Sequence, residues 1–336
     1  MLADNMIRLN LNESAYPPLP AVAEVLHEQV LSAHRYPEFT PHGSRRVIAH
    51  HLGVSDDMVT VGAGATGVIF QALQAALDQH GGVVPELVTA TPTFDGFPIL
   101  AQLLRMDFRG VPLDRFGGVD LDALRTSVTA ATVAVIVCSP HNPTGTVVDE
   151  REIHAFLTSL PDHVAVILDQ AYIEFSTAAP DLHRLIALHP RLVVVRTFSK
   201  AHGLAALRVG YGVGDERLMS GVRRFEIPFA VSAPAQAAVP VALAATTALA
   251  HRVEAMRAAR DRLSVQLHAI GASTIAGSEG NFVYLPGADG LALGSLLGTC
   301  GVAVKTVAGH GVRITVGDAF SNSRVLAALR ATAATA

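Results

Sequence analysis

The sequence has 336 residues, 50% of them hydrophobic and 16% charged, and its 25 basic and 29 acidic side chains give a formal net charge of −4. A chain this long and this apolar buries a large core, which excludes intrinsic disorder. The near-neutral charge excludes a general basic surface for phosphate backbones, so we expect no nucleic-acid partner.

The first ten residues contain Asp4 and Arg8 and lack the apolar segment of a signal peptide. We therefore expect the chain not to be secreted. Cys138 and Cys300 are the only cysteines, which is too few for a disulfide framework or a thiolate zinc site. This cysteine usage predicts a reducing, cytoplasmic location.

Apolar runs of strand length alternate with helical patterns through the first two thirds of the chain. The runs are Met58–Val61, Leu87–Ala90, Val133–Cys138, Val164–Leu168 and Leu192–Val195. Asp120 and Asp149 stand at the expected starts of two of the intervening helices. This alternation is typical of parallel βαβ units. The sequence predicts an α/β fold with a large, mostly parallel sheet flanked by helices.

The glycine-rich segment Gly62-Ala63-Gly64-Ala65-Thr66-Gly67 follows the first of these runs and precedes a helical pattern. Its backbone N–H groups would favour a bound phosphate. A dinucleotide site also needs an acidic residue at the end of the next strand, but Glu86, the only acid near that spacing, precedes its strand. Binding of NAD is therefore a distant alternative, and a turn that binds nothing stays open.

Polar side chains follow three further runs at their carboxyl ends, where open α/β sheets bind ligands. They are Asn142, Asp169 and Lys200, with Arg208 a few residues beyond the lysine. Desolvation at such an edge lowers the pKa of a lysine toward the range of an amine nucleophile. A solvated loop lysine, a capping aspartate and an ordinary Asn-Pro turn are the alternatives.

The alternation of strand and helix patterns ends in the last third of the sequence. The apolar stretch 233–250 is long enough for a bilayer, but Pro234, Gln236 and Pro240 interrupt it, so we predict a buried helix and no membrane partner. A long helical pattern then runs to His268. Short strands near Asn281–Leu285, Val302–Lys305 and Val312–Val316 and a closing helix after Ser321 complete the chain. These elements predict a second, smaller α+β domain.

The 15 histidines show no metal-ligand spacing, and His50 and His51 lie in one helical pattern. We predict no metal site. A noncatalytic binding protein is a remote alternative, because it would need no lysine at a strand end.

The segment RTFSKAHGLAALRVGY resembles the segment around the cofactor-binding lysine of fold-type I pyridoxal-phosphate (PLP) aminotransferases, in particular of their histidinol-phosphate aminotransferase-like branch. CSPHNPTGTVV, LDQAYIEF, LNLNESAYPP, HRYPE, GNFVYL and GVRITVG match the same family in order and spacing. The resemblance implies PLP as cofactor and amino transfer to 2-oxoglutarate in two half-reactions. It also implies a large domain at 31–243, a small domain formed by 1–30 and 244–336, and a homodimer with shared active sites.

The resemblance implies a role for each matching residue. Lys200 would bind the cofactor covalently and move the substrate proton, Asp169 would pair with the pyridine nitrogen, and Tyr172 and Asn142 would bind the ring oxygen. Phe94 would stack on the ring, Ala65, Thr66, Ser199 and Arg208 would hold the phosphate, and Tyr36 would reach the phosphate of the partner subunit. Arg313 would bind the substrate carboxylate, with Asn12, Asn281, Tyr16 and Lys305 as further substrate contacts.

Departures from the family pattern affect the choice of substrate. Thr66-Gly67 replace the usual acidic pair, Lys305 replaces a phosphate-binding arginine, and His202 and Gln170 replace the more usual Tyr and Glu. The segment before LNLNES is almost missing. These departures favour a donor with a carboxylate and an apolar or aromatic side chain over histidinol phosphate. Decarboxylation or another carbanion reaction on the same cofactor stays an alternative.

Overall fold

The computed structural model describes residues 6–81 and 84–333. Asp4, on which part of the expectation about secretion rests, lies outside the described residues, as do the extreme ends of the predicted small domain.

The described residues form eleven strands and twelve α-helices. The strands are β1 (Ile7–Leu9), β2 (Val59–Gly62), β3 (Glu86–Thr91), β4 (Asp107–Pro112), β5 (Thr132–Cys138), β6 (Ala165–Asp169), β7 (Leu192–Thr197), β8 (Gly210–Gly214), β9 (Phe282–Pro286), β10 (Val302–Val307) and β11 (Gly311–Thr315). The helices are α1 (Pro20–Val30), α2 (His42–Leu52), α3 (Gly64–Asp78), α4 (Gly96–Leu103), α5 (Leu121–Ser127), α6 (Glu150–Ser159), α7 (Leu182–Leu188), α8 (Glu216–Arg223), α9 (Ala233–Ala244), α10 (Thr246–Ala269), α11 (Gly287–Thr299) and α12 (Ala319–Ala333).

The larger sheet has the strand order β2-β8-β7-β6-β5-β3-β4. β8 runs antiparallel to both of its neighbours, β2 and β7, and the other described pairs of this sheet are parallel. The predicted α/β fold and all five predicted strands are confirmed. β5 is buried along its whole length, as its β-branched sequence suggests for a central strand. Its side chains alternate between two apolar cores, so that Val135 lies on one face of the sheet and Ile136 on the other.

The predicted helix starts at Asp120 and Asp149 are also confirmed. Asp120 accepts a hydrogen bond from the backbone of Ala123, and Asp149 forms a capping box with Glu152.

The smaller sheet has the order β1-β10-β11-β9. β9, β10 and β11 match the three short strands predicted after residue 280, and β1 adds the N-terminal segment in parallel to β10. This sheet has its own apolar core, which includes Leu9, Leu263 and Ile314. The domain boundaries stay a prediction. Leu19 and Val22 pack into the core of the larger sheet, which argues against placing all of 1–30 with the smaller one.

The apolar stretch 233–250 forms α9 and the start of α10, which meet at an angle of 86°. Within the described part of the chain, no single helix has the length and apolar character to cross a bilayer, although this bent pair meets both criteria when taken together.

Candidate active site

The carboxyl ends of β5, β6 and β7 lie in register, because Cys138 pairs with Asp169 and Asp169 pairs with Val195. Asn142, Asp169 and Lys200 therefore meet at one edge of the larger sheet. They line a cavity of about 320 Å³ together with the first turn of α3 and with residues of β10 and β11. The cavity thus brings both sheets and the N-terminal segment to the same place.

Lys200 extends from the end of β7 into this cavity. Its Nζ donates hydrogen bonds to the carbonyl oxygens of Leu11 (3.3 Å) and Asn12 (3.1 Å). Burial and the positive charges of Arg313 and Arg208 together lower the pKa of Lys200 to about 8, whereas the negative charges of Asp169 and Glu13 act in the opposite direction. An amine with this pKa is partly neutral near neutral pH and is therefore able to act as a nucleophile or base.

Asp169 is a buried carboxylate, with 5% of its surface exposed. It accepts one hydrogen bond, from the backbone N–H of Ala171 at 3.0 Å. Burial raises the pKa of Asp169 to about 6, against the opposing effects of this hydrogen bond and of Lys200. A buried charge with so little compensation fits a cationic partner in the cavity.

Tyr172 and the N-terminal segment form a buried polar network beside Lys200. Asn12 Nδ2 donates to the Tyr172 hydroxyl at 2.9 Å, and Thr315 Oγ1 donates to Asn12 Oδ1 at 3.0 Å. Asn281 Nδ2 donates to the carbonyl oxygen of Asn12 at 3.2 Å. Burial raises the pKa of Tyr172 to about 12, so its hydroxyl stays protonated. Asn12 and Asn281 thus hold the segment that contacts Lys200.

The part of the cavity that is formed by the first turn of α3 is suited to an anion. The first turn of α3 presents the backbone N–H groups of Ala65 and Thr66, and no side chain of the described residues caps this helix start. Ser199 and Arg208 lie beside it, with Arg208 Nη1 donating to Ser199 Oγ at 3.4 Å. A Cβ on Gly64, whose φ is +74°, would approach the guanidinium of Arg208 to 2.5 Å. Glycine therefore suits this position, both for its positive φ and for the close approach of Arg208.

Arg313, on β11, also lines the cavity. Its guanidinium donates to Asn142 Oδ1 at 2.5 Å and to the carbonyl oxygen of Asn10 at 2.7 Å. Its Nε finds no partner among the described residues although it is buried. A guanidinium oriented in this way, with an unused donor, suits a carboxylate ligand.

Lys305 and Asp95 form an ion pair, and both residues line the cavity. Asp95 follows Phe94, which lines the cavity and packs edge-on against Phe97 at 5.5 Å between ring centroids. The sequence pointed to Lys305 and Phe94 but not to Asp95. Leu11 and Val307, two apolar residues of the cavity lining, were also missed. Leu11 lies in the LNLNES motif, which was the available signal.

Four residues named from the sequence lie outside the cavity lining. Asn12 and Asn281 belong to the polar network beside Lys200, whereas Tyr16 and Tyr36 are exposed. Tyr36 is 84% exposed and contacts Phe229, with 4.9 Å between ring centroids. Tyr16 is 39% exposed and lies beside the guanidinium of Arg252 at 5.9 Å. Neither therefore contributes to the cavity of its own chain. A contribution of Tyr36 to a partner subunit stays a prediction.

The arrangement fits the cofactor that the sequence resemblance implies. The start of α3, which no side chain of the described residues caps, suits a phosphate together with Arg208 and Ser199. The carboxylate of Asp169, which accepts a single hydrogen bond, suits a protonated ring nitrogen. Lys200 lines the same cavity as these residues. Within residues 6–81 and 84–333, no group of three His, Cys, Asp or Glu side chains is placed to hold a metal ion.

Comparison with known proteins shows the family to which the chain is related. A family model described as aminotransferase class I and II matches residues 4–330. The aromatic amino acid aminotransferase of Nocardia farcinica is 38% identical over 325 residues, which are 95% of this chain and 90% of that protein. The enzyme of the same name from Thermobifida fusca is 38% identical over 326 residues, covering 96% and 89%.

Among solved structures, histidinol-phosphate aminotransferase from Sinorhizobium meliloti in complex with pyridoxal-5′-phosphate superposes with a TM-score of 0.89. The match covers 98% of this chain and 91% of that one at 24% sequence identity. At this identity the likeness shows the fold.

Proposed function

The chain belongs to the aminotransferase class I and II family and is a PLP-dependent aminotransferase, and from this premise we propose that it transfers the amino group of an aromatic amino acid to 2-oxoglutarate. The observation that carries the choice of donor is the part of the cavity lining formed by the N-terminal segment, β10 and β11. There Arg313 offers a fork for one carboxylate, Leu11 and Val307 offer apolar surface, and Lys305 is already paired with Asp95.

We propose the cofactor contacts that the sequence resemblance implies, all of them made by residues that line the cavity. Ala65, Thr66, Ser199 and Arg208 would hold the phosphate, Phe94 would lie against the ring, Asp169 would hold the ring nitrogen protonated, and Tyr172 and Asn142 would donate to the ring oxygen. Bound PLP supplies an electron sink for the negative charge that develops at Cα of the amino donor.

The protein itself supplies binding and proton transfer. Arg313 would fix the α-carboxylate of the donor through two parallel hydrogen bonds, with Asn142 orienting its guanidinium. Because Arg313 and Lys200 line the same cavity, a donor held in this way would have its Cα–H bond within reach of Lys200 Nζ. Because burial and neighbouring cations lower the pKa of Lys200 to about 8, its amine would accept that proton near neutral pH and return it later in the reaction.

This part of the cavity lining favours an aromatic donor over histidinol phosphate. Histidinol phosphate has no carboxylate for Arg313, and its phosphate would have to compete with Asp95 for Lys305. A lysine is also a single point charge, without the fork of the arginine that it replaces. Two relatives at 38% identity named as aromatic amino acid aminotransferases add support.

The test is to compare kcat/KM for phenylalanine and histidinol phosphate, each with 2-oxoglutarate as acceptor. We expect phenylalanine to be preferred. The Lys200→Ala variant is the negative control and should lose the near-visible absorbance of bound PLP. A preference for histidinol phosphate of 100-fold or more, equal to about 2.7 kcal/mol of transition-state binding, would overturn the proposed donor.

The same experiment decides between amino transfer and other carbanion chemistry. Lys200 and Asp169 would serve a decarboxylase equally well, so the products must be identified. Formation of glutamate from 2-oxoglutarate in proportion to the phenylalanine consumed supports transamination. Release of CO₂ without glutamate would contradict it.

We also propose that the working form is a homodimer in the cytoplasm. The dimer would cover the exposed side chains of Tyr36, Phe39 and Phe229, because contiguous exposed apolar surface is typical of an interface. The cytoplasmic location rests on the cysteines Cys138 and Cys300, which form no disulfide in the described part of the chain.

A further inference from the structure

The chain has only two lysines, Lys200 and Lys305, against 23 arginines. Both lysines line the same cavity. Arginine thus provides all the other basic side chains of the sequence, and lysine occurs only at the two cavity positions. This distribution indicates that Lys305 serves the cavity and not surface solubility.

Lys305 and Arg313 face each other across adjacent strands. Lys305 on β10 is the direct antiparallel partner of Arg313 on β11. Directly opposed side chains share one face of a sheet with about 4.5–5.5 Å between Cβ atoms, and like charges in this arrangement repel. The cavity wall therefore carries two neighbouring cations, which match a molecule with a carboxylate at each end of a short carbon chain.

Asp95 is the acid that offsets this pair of cations. It pairs with Lys305, and its charge opposes the lowering of the Arg313 pKa that burial causes. It occupies the N-cap position of α4, yet its side chain makes no capping hydrogen bond to a described residue. An aspartate at this position normally caps its own helix. The carboxylate is turned toward Lys305 instead.

The pair lies at the solvent-exposed end of the cavity. Side-chain exposure is 36% for Lys305 and 64% for Asp95, whereas Asp169 and Arg313 are buried. Val307 lies two residues beyond Lys305 on the same face of β10 and also lines the cavity. An apolar side chain at this end would thus contact Val307 beside a neutralised ion pair.

An aminotransferase that takes an apolar donor and a dicarboxylic acceptor must bind both in one cavity. An unpaired lysine would penalise the apolar side chain, and an apolar wall alone would give the second carboxylate no partner. We propose that Asp95 is an exchangeable counter-ion for Lys305. It pairs with Lys305 while an aromatic side chain is bound, and the distal carboxylate of the keto acid takes its place when the acceptor binds.

This inference rests on the proposed function for its choice of substrates, and equilibrium binding tests it without turnover. The holoenzyme is titrated by calorimetry with glutarate and with 3-phenylpropionate. Each acid has a carboxylate for Arg313, and neither has an amino or keto group that reacts. They differ at the distal end, which is a carboxylate in glutarate and a phenyl ring in 3-phenylpropionate.

For Lys305→Met we expect the Kd of glutarate to rise by about tenfold or more, while the Kd of 3-phenylpropionate changes by less than about threefold. For Asp95→Asn we expect glutarate to bind about threefold or more tightly, because its competitor is gone, and 3-phenylpropionate to bind more weakly. The effect of Lys305→Met on glutarate should be larger in the Asp95→Asn background.

Asp78→Asn is the matched control, since Asp78 forms an exposed ion pair with Arg224 at 3.0 Å, away from the cavity. It should change neither Kd. Weaker glutarate binding in Asp95→Asn would show that Asp95 only positions Lys305, and this result would overturn the proposal. Unchanged glutarate binding in Lys305→Met would overturn it as well.

Failure of this inference is distinguishable from failure of the proposed donor. If phenylalanine is not a donor but the Kd of glutarate changes as expected in the Lys305 and Asp95 variants, the counter-ion exchange is supported and the aromatic donor is contradicted. If phenylalanine is a good donor but the Kd of glutarate is unchanged in Lys305→Met, the counter-ion exchange is contradicted and the aromatic donor is supported.

Discussion

At the scale of single residues, the site depends on charges that are buried before any ligand is bound. Asp169 accepts one hydrogen bond in the interior, and burial raises its pKa to about 6, well above the 3.8 of a free aspartate. Without a cationic partner, its ionised form therefore costs stability. With a protonated ring nitrogen beside it, the same carboxylate becomes a binding group for the cofactor.

This reasoning predicts a pH-dependent effect of Asp169→Asn on the cofactor-free protein. Because the pKa is higher in the folded state, the native protein binds the extra proton between about pH 4 and pH 6, and the wild type loses stability as the pH rises through this window. The variant lacks this loss. The free energy of unfolding of Asp169→Asn minus that of the wild type should therefore rise by up to about 3 kcal/mol between pH 4 and pH 7.

Denaturant unfolding at several pH values measures this difference. Asp162→Asn, at an exposed site in the loop before β6, is the control for removal of an aspartate charge away from the cavity. Addition of PLP should stabilise the wild type more than Asp169→Asn. A difference between wild type and Asp169→Asn that stays constant from pH 4 to pH 7 would contradict the assignment.

At the scale of secondary-structure elements, the phosphate end depends on how closely β8 approaches the start of α3. A Cβ on Gly210 would lie 2.5 Å from the backbone nitrogen of Ala65 and 2.7 Å from the carbonyl carbon of Gly64. These are backbone atoms, which cannot rotate away as a side chain can. The helix start would have to move, and the N–H groups that face the cavity would move with it.

We therefore predict that Gly210→Ala lowers the free energy of unfolding by about 1–3 kcal/mol, the usual cost of overpacking. It should also weaken PLP binding, measured as the absorbance of the bound cofactor during titration. Gly221→Ala is the control, because no heavy atom lies within 4 Å of the added Cβ in α8. The control should stabilise the helix by about 1 kcal/mol and leave PLP affinity unchanged. Equal effects of the two substitutions would contradict this account.

The sequence predicts some strands more clearly than others. β5, β6 and β7 are runs of β-branched and aliphatic residues, and pattern alone locates them. β8 reads GYGVG and β4 reads DFRGVP, so neither has the composition of a strand. Their strand conformation comes from pairing with β7 and β3, which is a property of the folded sheet.

The same distinction applies to the site. Lys200, Asp169 and Asn142 could be found because strand ends of a parallel sheet converge. The role of Asp95 could not, because it depends on Lys305, which is 210 residues away and on the other sheet. The contacts of Asn10 and Leu11 with Arg313 and Lys200 use backbone carbonyl oxygens, which no side-chain pattern encodes.

At the scale of the whole molecule, the N-terminal segment joins the two sheets at the cavity. β1 pairs with β10 of the smaller sheet, and the carbonyl oxygen of Asn12 accepts hydrogen bonds from Lys200 and Asn281. Asn12 itself has a φ of +53°, a conformation that asparagine tolerates better than most residues. The position of the segment is thus fixed by contacts with both sheets.

The exposed aromatic surface around Tyr36 leads to the prediction about assembly. Tyr36 is 84% exposed, and Phe39 and Phe229 pack beside it with 5.1 Å between their ring centroids. Covering these rings would remove apolar surface from water, and a two-fold interface would bury the same surface on both subunits. If Tyr36 then reaches the phosphate of the neighbouring subunit, each active site contains Lys200 from one subunit and Tyr36 from the other.

Mixing two impaired proteins tests this arrangement. Lys200→Ala and Tyr36→Phe homodimers should each have low activity, measured at limiting PLP. Half of the dimers in an equal, fully exchanged mixture are hybrids, and each hybrid has one site with both native residues, so activity should recover to about a quarter of the wild-type value. Mixing Lys200→Ala with Asp169→Asn is the control and should restore nothing, because both residues come from the same subunit. Full activity of Tyr36→Phe alone, or a monomer in sedimentation at working concentration, would exclude a shared site.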